Sequence, residues 1–521
     1  MVMLKVLQQY YTATNDARVI KFMTAYFHYE LKALKTCPIN KWSDWAESRG
    51  SENILVAQWL YQKTGDKSLL QLADLLDKQC FAWSKWFAGR DWAINAAARQ
   101  DDADWMHRHG VNVAMAIKAP ALDYQRTHNP YYLVAMKTGF NDIMTLHGLP
   151  MGTFSADEDL HGNLPTQGTE LCAVVETMFS MEEAIAITGD THYMDALERI
   201  TFNALPTQTT DDYNNKQYFQ MANQVEIARG VFDFSLPFGR EMNNVLGMRS
   251  GYTCCLANMH QGWTKYATHL WYKTPGNGLA SLVYGPNLFT TTAGLSHTPV
   301  SIREMTDYPF SDEITFEVAA RNRVPFAWQL RIPSWCANAA ISINGVQTNT
   351  GKGGQLITIN RVWKNNDKVV LKLPMTVSTS QWGRNSRAVE RGPLVYALKL
   401  GERWEKGNDK YEGDYFSVYP TGNWNYGLSE QIVTDPVKNL QVIQKPLSGK
   451  FVWNQAHAPI EITAEGRQIP NWILSDGVAN QPVTDRDGGY RGAVSDTVEH
   501  FTLIPYGFTK VRIVAFPVVK K

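Results

Sequence analysis

Residues 52–79 read ENILVAQWLYQKTGDKSLLQLADLLDKQ, two apolar-striped segments on either side of Thr64-Gly65-Asp66. Ile54, Leu55, Trp59 and Tyr61 recur at helical spacing before the turn, and Leu70 and Ala73 resume it afterwards, so the stretch predicts a helical hairpin. The turn returns as Thr127-His128-Asn129 before PYYLVAM and as Thr188-Gly189-Asp190 before THYMDALERI. Recurrence at a period of about 60 residues fits a series of hairpins, each needing its neighbours to cover its inner face. An α/α toroid is the natural closure of such a series.

Beyond YKTPGNG, residues 272–278, the apolar period drops to two. Phe326, Trp328, Leu330 and Ile332 share one face, and so do Val369, Leu371 and Leu373, which predicts antiparallel strands. Turn signals in INGVQ and GKGGQ punctuate them. The chain therefore divides into an α/α-barrel domain over 1–275, a β-sandwich over 276–400 and a second β-sandwich region over 401–521. GERWEKGNDKYEGDY, at 401–415, is expected to be a linker.

Composition narrows the function. Lysine plus arginine and aspartate plus glutamate each number 50, so no basic face is available to draw nucleic acid. No apolar run reaches the length of a membrane span. The first residues lack a charged start followed by an apolar core, so no signal peptide is read there. Seventeen tryptophans and 23 tyrosines offer flat amphipathic rings suited to sugar faces, though such rings also serve cores.

Six cysteines show no paired disulfide spacing: Cys37, Cys80 and Cys336 are scattered, while Cys254 and Cys255 are adjacent. A bridge between neighbours would need a distorted peptide, and the pair alone can also be two small apolar side chains in a core. GTELCAVVE, 168–176, opens a helix with Thr169 placed as its cap and presents Glu170 and Cys172 at the positive end of the helix dipole. Glu170, Cys172, Cys254 and Cys255 together would be four anionic ligands, a set that suits Zn2+, against the alternative of unrelated buried cysteines.

GTELCAVVE, GYTCCLAN, RIPSW followed by INGV, and ERGPLVYAL together resemble glycoside hydrolase family 127, whose characterised members include β-L-arabinofuranosidases. The resemblance implies an (α/α)6 barrel followed by β-sandwiches, with the first hairpins of the barrel expected to precede Met1. It implies zinc ligands at Glu170, Cys172, Cys254 and Cys255 and a nucleophile at Cys254, which would form a thioglycosyl intermediate. It further implies a retaining exo-glycosidase, most simply a β-L-arabinofuranosidase, acting on oligosaccharide or polysaccharide side chains of plant glycans. A periplasmic or otherwise exported enzyme is expected by the same resemblance, a cytoplasmic one being the alternative.

The general acid departs from the family pattern, for Phe154 stands sixteen residues before Glu170 where a glutamate is expected. Asp157-Glu158-Asp159 supplies the nearest replacement, and Glu158 is the expected acid because its longer side chain can reach into a pocket. The altered region leaves open another branched or acidic sugar as substrate. A carbohydrate-binding protein with a structural zinc is the reading from another class. Sugar hydroxyls are expected to meet His109, Asn112, Glu52 with Asn53, Tyr252, Asn258 and His260.

Overall fold

A computed structural model describes residues 2–90, 105–230, 241–383, 386–447, 451–481, 484 and 489–520. The chain divides into two compact units, Met1–His147 with Glu158–His161, and Gly148–Asp157 with Gly162–Lys521. Among the described residues no helix is long and apolar enough to cross a membrane.

The first unit is built of helical hairpins. Helix Ser51–Thr64 packs on Ser68–Gln79, and Tyr131–His147 packs on Ala119–Thr127 and on Trp83–Gly89. Met23, Phe27, Val56, Leu60, Leu72, Leu76, Val113 and Ile143 form its buried core.

The turns that carried the sequence reading share one hydrogen-bond pattern. Thr64 Oγ1 donates to Leu60 O (2.9 Å) and accepts from Asp66 N (3.2 Å), while Asp66 Oδ1 accepts from Ser68 N (2.9 Å) and so caps the next helix. Thr127 with Asn129 and Thr188 with Asp190 repeat it bond for bond. The residue between is left-handed in each: Gly65 at φ 72, His128 at 56 and Gly189 at 65. A fourth copy, Thr14-Asn15-Asp16, joins Val2–Thr14 to Ala17–Ala33, with Asn15 at φ 54.

The second unit opens with the short strand Gly168–Glu170 and then helices, among them Leu171–Thr188 packed on Thr191–Arg199, and continues as sheets. A six-stranded sheet runs in the order Val346–Gly351, Ala339–Ile343, Lys368–Lys372, Glu313–Ala320, Thr298–Met305, Asn287–Ala293. A four-stranded sheet runs Leu356–Trp363, Val324–Arg331, Gly278–Ser281, Trp271–Thr274. Their inner faces meet through aromatic rings: Trp271 stacks on Phe289 at 4.8 Å, and Trp328 meets Phe316 at 5.3 Å. Phe326, Trp328, Leu330, Val369, Leu371 and Leu373 are all buried, as the two-residue period predicts. Burying a side chain such as Phe316 contributes about 1.5–3 kcal/mol.

Two details differ from expectation. Strands Val377–Trp382, Ser386–Arg391 and Leu394–Leu398 pair into the C-terminal eight-stranded mixed sheet, so the change of sheet falls before 377 and not at 400. The stretch read as a linker is a hairpin, Glu402–Asp409 against Gly413–Pro420. Both of its faces carry polar groups, including the Lys406–Asp414 pair at 2.6 Å, so no alternation marked it as strand.

Candidate active site and its metal-ligand cluster

Strand Gly168–Glu170 pairs with Phe219–Met221, Glu170 standing opposite Phe219. That pairing corrects the expected cap: Thr169 lies in the strand, and extended Glu170 (φ −71, ψ 142) occupies the N-cap position of Leu171–Thr188 without a side-chain capping bond. The ladder takes Thr169 into extended backbone and delays the helix by one residue. Glu170 and Cys172 consequently sit at the N-terminus of an 18-residue helix, where the dipole favours negative charge. Cys254 and Cys255 open the short helix Cys254–Asn258.

These four residues come together. One ligand atom from each of Glu170, Cys172, Cys254 and Cys255 lies within 4.8 Å of the others. Cys172 Sγ and Cys255 Sγ are 3.3 Å apart, and Glu170 Oε1 is 3.4 Å from the sulfur of both Cys254 and Cys255. All six thiols of the chain are free, and Cys254 and Cys255 are not bridged. Cys172, Cys255 and Glu170 are buried, whereas Cys254 is exposed.

Burial raises the thiols of Cys172 and Cys255 well above the usual range. Hydrogen bonds from Cys172 and Cys255 hold Cys254 far below it, outweighing its partial desolvation. Burial thus favours the protonated form at Cys172 and Cys255, while Cys254 favours the thiolate. A cation bound by all three sulfurs must displace the protons of the buried pair.

Residues 216–219 tie the two arms of the cluster together. Leu171 N donates to Tyr218 O (3.1 Å) on one side, and Tyr218 N donates to Asn243 O (3.1 Å) on the other. Gly251, three residues before Cys254, has φ 63, and a Cβ there would lie 2.4 Å from the Tyr218 ring. The loop into the cysteine pair therefore requires glycine at 251. Lys216, wholly buried, is a residue that sequence reading missed, since one lysine in a polar stretch carries no signal.

In the first unit His109 and Glu158 meet, Nε2 to Oε2, at 3.3 Å. Glu158 is held by its backbone: Gly110 N donates to its carbonyl (2.6 Å), and His109 bridges Asp159. Its φ of 76 is left-handed, a conformation that costs a glutamate free energy and persists where surrounding structure imposes it. Asn112 N donates to His109 Nδ1 (3.4 Å), which makes Nε2 the protonated nitrogen facing Glu158. Its flanking acids differ: Asp157 Oδ2 accepts from Gly168 N (3.2 Å), and burial pushes Asp159 up to about 6, moderated by His109.

The remaining expected sugar contacts are placed as follows. Asn112 is buried with its amide engaged, accepting from Arg49 Nε (2.8 Å) and donating to Met106 O (2.9 Å). Glu52 is fully buried between Lys5 and Lys118, and Asn53 donates to Glu30. Burial would raise the Glu52 carboxyl, but Lys118 and Lys5 outweigh it and hold it down at about 2. Tyr252 is half-buried with its ring 5.6 Å from that of Tyr218, Asn258 accepts from Gln261, and His260 is exposed.

A family model described as β-L-arabinofuranosidase, GH127 catalytic domain, matches residues 2–268, and one described as the GH127 middle domain matches 281–375. These matches define the class as glycoside hydrolases, enzymes that hydrolyse O-glycosyl bonds. The chain belongs to glycoside hydrolase family 127. Among solved structures it is similar to a GH127 β-L-arabinofuranosidase from Geobacillus stearothermophilus T6, with 19% identity, a TM-score of 0.63, and coverage of 90% of this chain and 72% of that one. A glycoside hydrolase is 17% identical (TM-score 0.61, covering 99% and 91%), and a GH127 β-arabinofuranosidase 16% identical (TM-score 0.61, covering 90% and 69%). At these identities the likeness shows the shared fold, a helical domain followed by β domains. No curated protein matches the chain.

Proposed function

We propose that the chain is a retaining exo-acting β-L-arabinofuranosidase of plant glycans, with zinc held by Glu170, Cys172, Cys254 and Cys255 and with Cys254 as nucleophile. The observation that carries this reading is the asymmetry of the cluster: four ligand atoms gathered within 4.8 Å, of which only the Cys254 sulfur belongs to an exposed residue. Three sulfurs and one carboxylate gathered this closely are the donor set that would hold zinc. When bound, zinc supplies the positive charge that keeps three sulfurs together as thiolates.

The chain's residues account for both halves of a double displacement. Cys254 Sγ attacks the anomeric carbon and forms a C–S bond while the C–O bond to the leaving group breaks. Glu158 gives its proton to the departing oxygen. His109 Nε2–H binds Glu158 Oε2 and holds that carboxyl in place for the transfer. Water then attacks the same carbon, Glu158 takes its proton, and Cys254 departs as thiolate. Two inversions give net retention, as in two-carboxylate enzymes, with sulfur in place of the second carboxylate.

Incubation with aryl β-L-arabinofuranosides tests the reading. The aryl alcohol is released by the wild-type protein and not by Cys254→Ser. A panel of other aryl glycosides, acidic sugars included, that alone is turned over would contradict the sugar assignment while leaving the hydrolase intact.

A further inference from the structure

Lys216 is a fully buried lysine whose ammonium has no carboxylate partner at salt-bridge distance among the described residues. Leaving a cation in the interior without a counter-charge is costly, so its surroundings must supply one. Its Nζ donates to the Ser250 carbonyl, and the Ser250 hydroxyl lies 3.5 Å away. Ser250 Oγ in turn donates to Lys216 O at 2.7 Å, and the backbones of Lys216 and Gly247 bond in both directions (3.3 and 3.0 Å). Ser250 is four residues before Cys254, while Phe219, three residues after Lys216, pairs with Glu170. The lysine thus stands where the strand behind Glu170 meets the loop that leads to the cysteine pair. Burial pulls its ammonium down, and Cys255, Cys254, Cys172 and Glu170 each act to keep it charged.

We propose that Lys216 is a positioning residue of the metal centre: it grips Ser250 and so sets the loop that carries Cys254 and Cys255. This rests on the metal-centre reading of the cluster. By fixing the loop that carries two of the four ligands, Lys216 favours the loaded state over the empty one, and its loss should appear as weaker metal binding before it appears as weaker folding.

The test is zinc affinity, measured by competition with a chromophoric chelator, together with thermal unfolding of the metal-free protein. Lys216→Met should bind zinc about 10- to 100-fold more weakly, the usual effect of losing a group that supports metal ligands. The Tm of its metal-free form should not fall, because a buried charge has been removed. Lys216→Arg should restore most of the affinity. A Lys216→Met protein with wild-type zinc affinity and a lowered metal-free Tm would overturn the inference, since that is the result of a merely structural lysine. If Lys216→Met does not fold, Lys216→Gln decides, because its shorter side chain withdraws the donor from the Ser250 carbonyl: a several-fold loss of affinity supports the grip, and unchanged affinity contradicts it. A wild-type protein that retains no zinc removes the metal reading itself, an outcome distinct from either.

Discussion

Glu170 Oε1 stands 3.4 Å from the sulfurs of both Cys254 and Cys255, so one carboxylate oxygen joins the exposed thiol to the buried one. Replacing it with an amide removes an anionic ligand without changing the shape of the side chain. Glu170→Gln should lose most of the bound zinc, read as metal per chain after dialysis against a weak chelator, while wild type keeps close to one ion. Full occupancy in the variant would take Glu170 out of the ligand set.

Loading should also be acid-sensitive in a defined direction. Burial raises the thiols of Cys172 and Cys255, so those protons must leave when all three sulfurs bind the ion. Adding zinc to the metal-free protein in weak buffer near neutral pH should release protons, and apparent affinity should fall as pH is lowered. A titration that shows no proton release would mean that the buried sulfurs do not bind as thiolates.

Glu158→Gln separates acid catalysis from binding. Turnover of substrates with poor leaving groups should fall by about 10²–10⁴, while activated aryl glycosides lose far less, because only the former need a proton in the transition state. Equal losses on both would assign Glu158 to positioning. A silent substitution would turn attention to Asp159, whose buried carboxyl is already pushed up to about 6.

Glu52 tests the fold and not the chemistry. Its carboxyl is held down at about 2 in the folded chain against an ordinary 4.5, so it contributes stability that is present above pH 4.5 and is lost as pH falls toward 2. Glu52→Gln leaves Lys118 buried without its counter-ion, which should cost about 3–5 kcal/mol and flatten that acid-dependent loss. Unfolding curves between pH 7 and 3 check both effects.

The helical order was legible because a threonine followed two residues later by Asp or Asn writes the same turn each time. The further copy at Thr14-Asn15-Asp16 carries asparagine, which also tolerates the left-handed conformation, where Gly65, His128 and Gly189 stand in the others. Cys172 could be singled out by its helix-opening neighbourhood, and the cysteine pair by adjacency. The hairpin at 402–420 could not be read because its first strand, Glu402–Asp409, carries mostly exposed polar side chains with no apolar period, and its partner strand buries Val418 only through the fold. Lys216 could not be read either: its significance comes from burial beside Ser250, a contact between residues 34 apart that no local pattern encodes.

Covalent trapping tests the central claim, that Cys254 is the nucleophile, most directly. An electrophilic, mechanism-based arabinofuranose analogue should add its mass to the peptide containing Thr253-Cys254-Cys255, with fragmentation placing it on Cys254. The label should vanish in Cys254→Ser, a variant expected to lose several orders of magnitude in activity, and persist at reduced yield in Cys255→Ser, where loosened metal binding misplaces its neighbour. Labelling at Cys255, or at a carboxylate such as Glu158 or Glu176, would contradict the account and return the reaction to a two-carboxylate scheme.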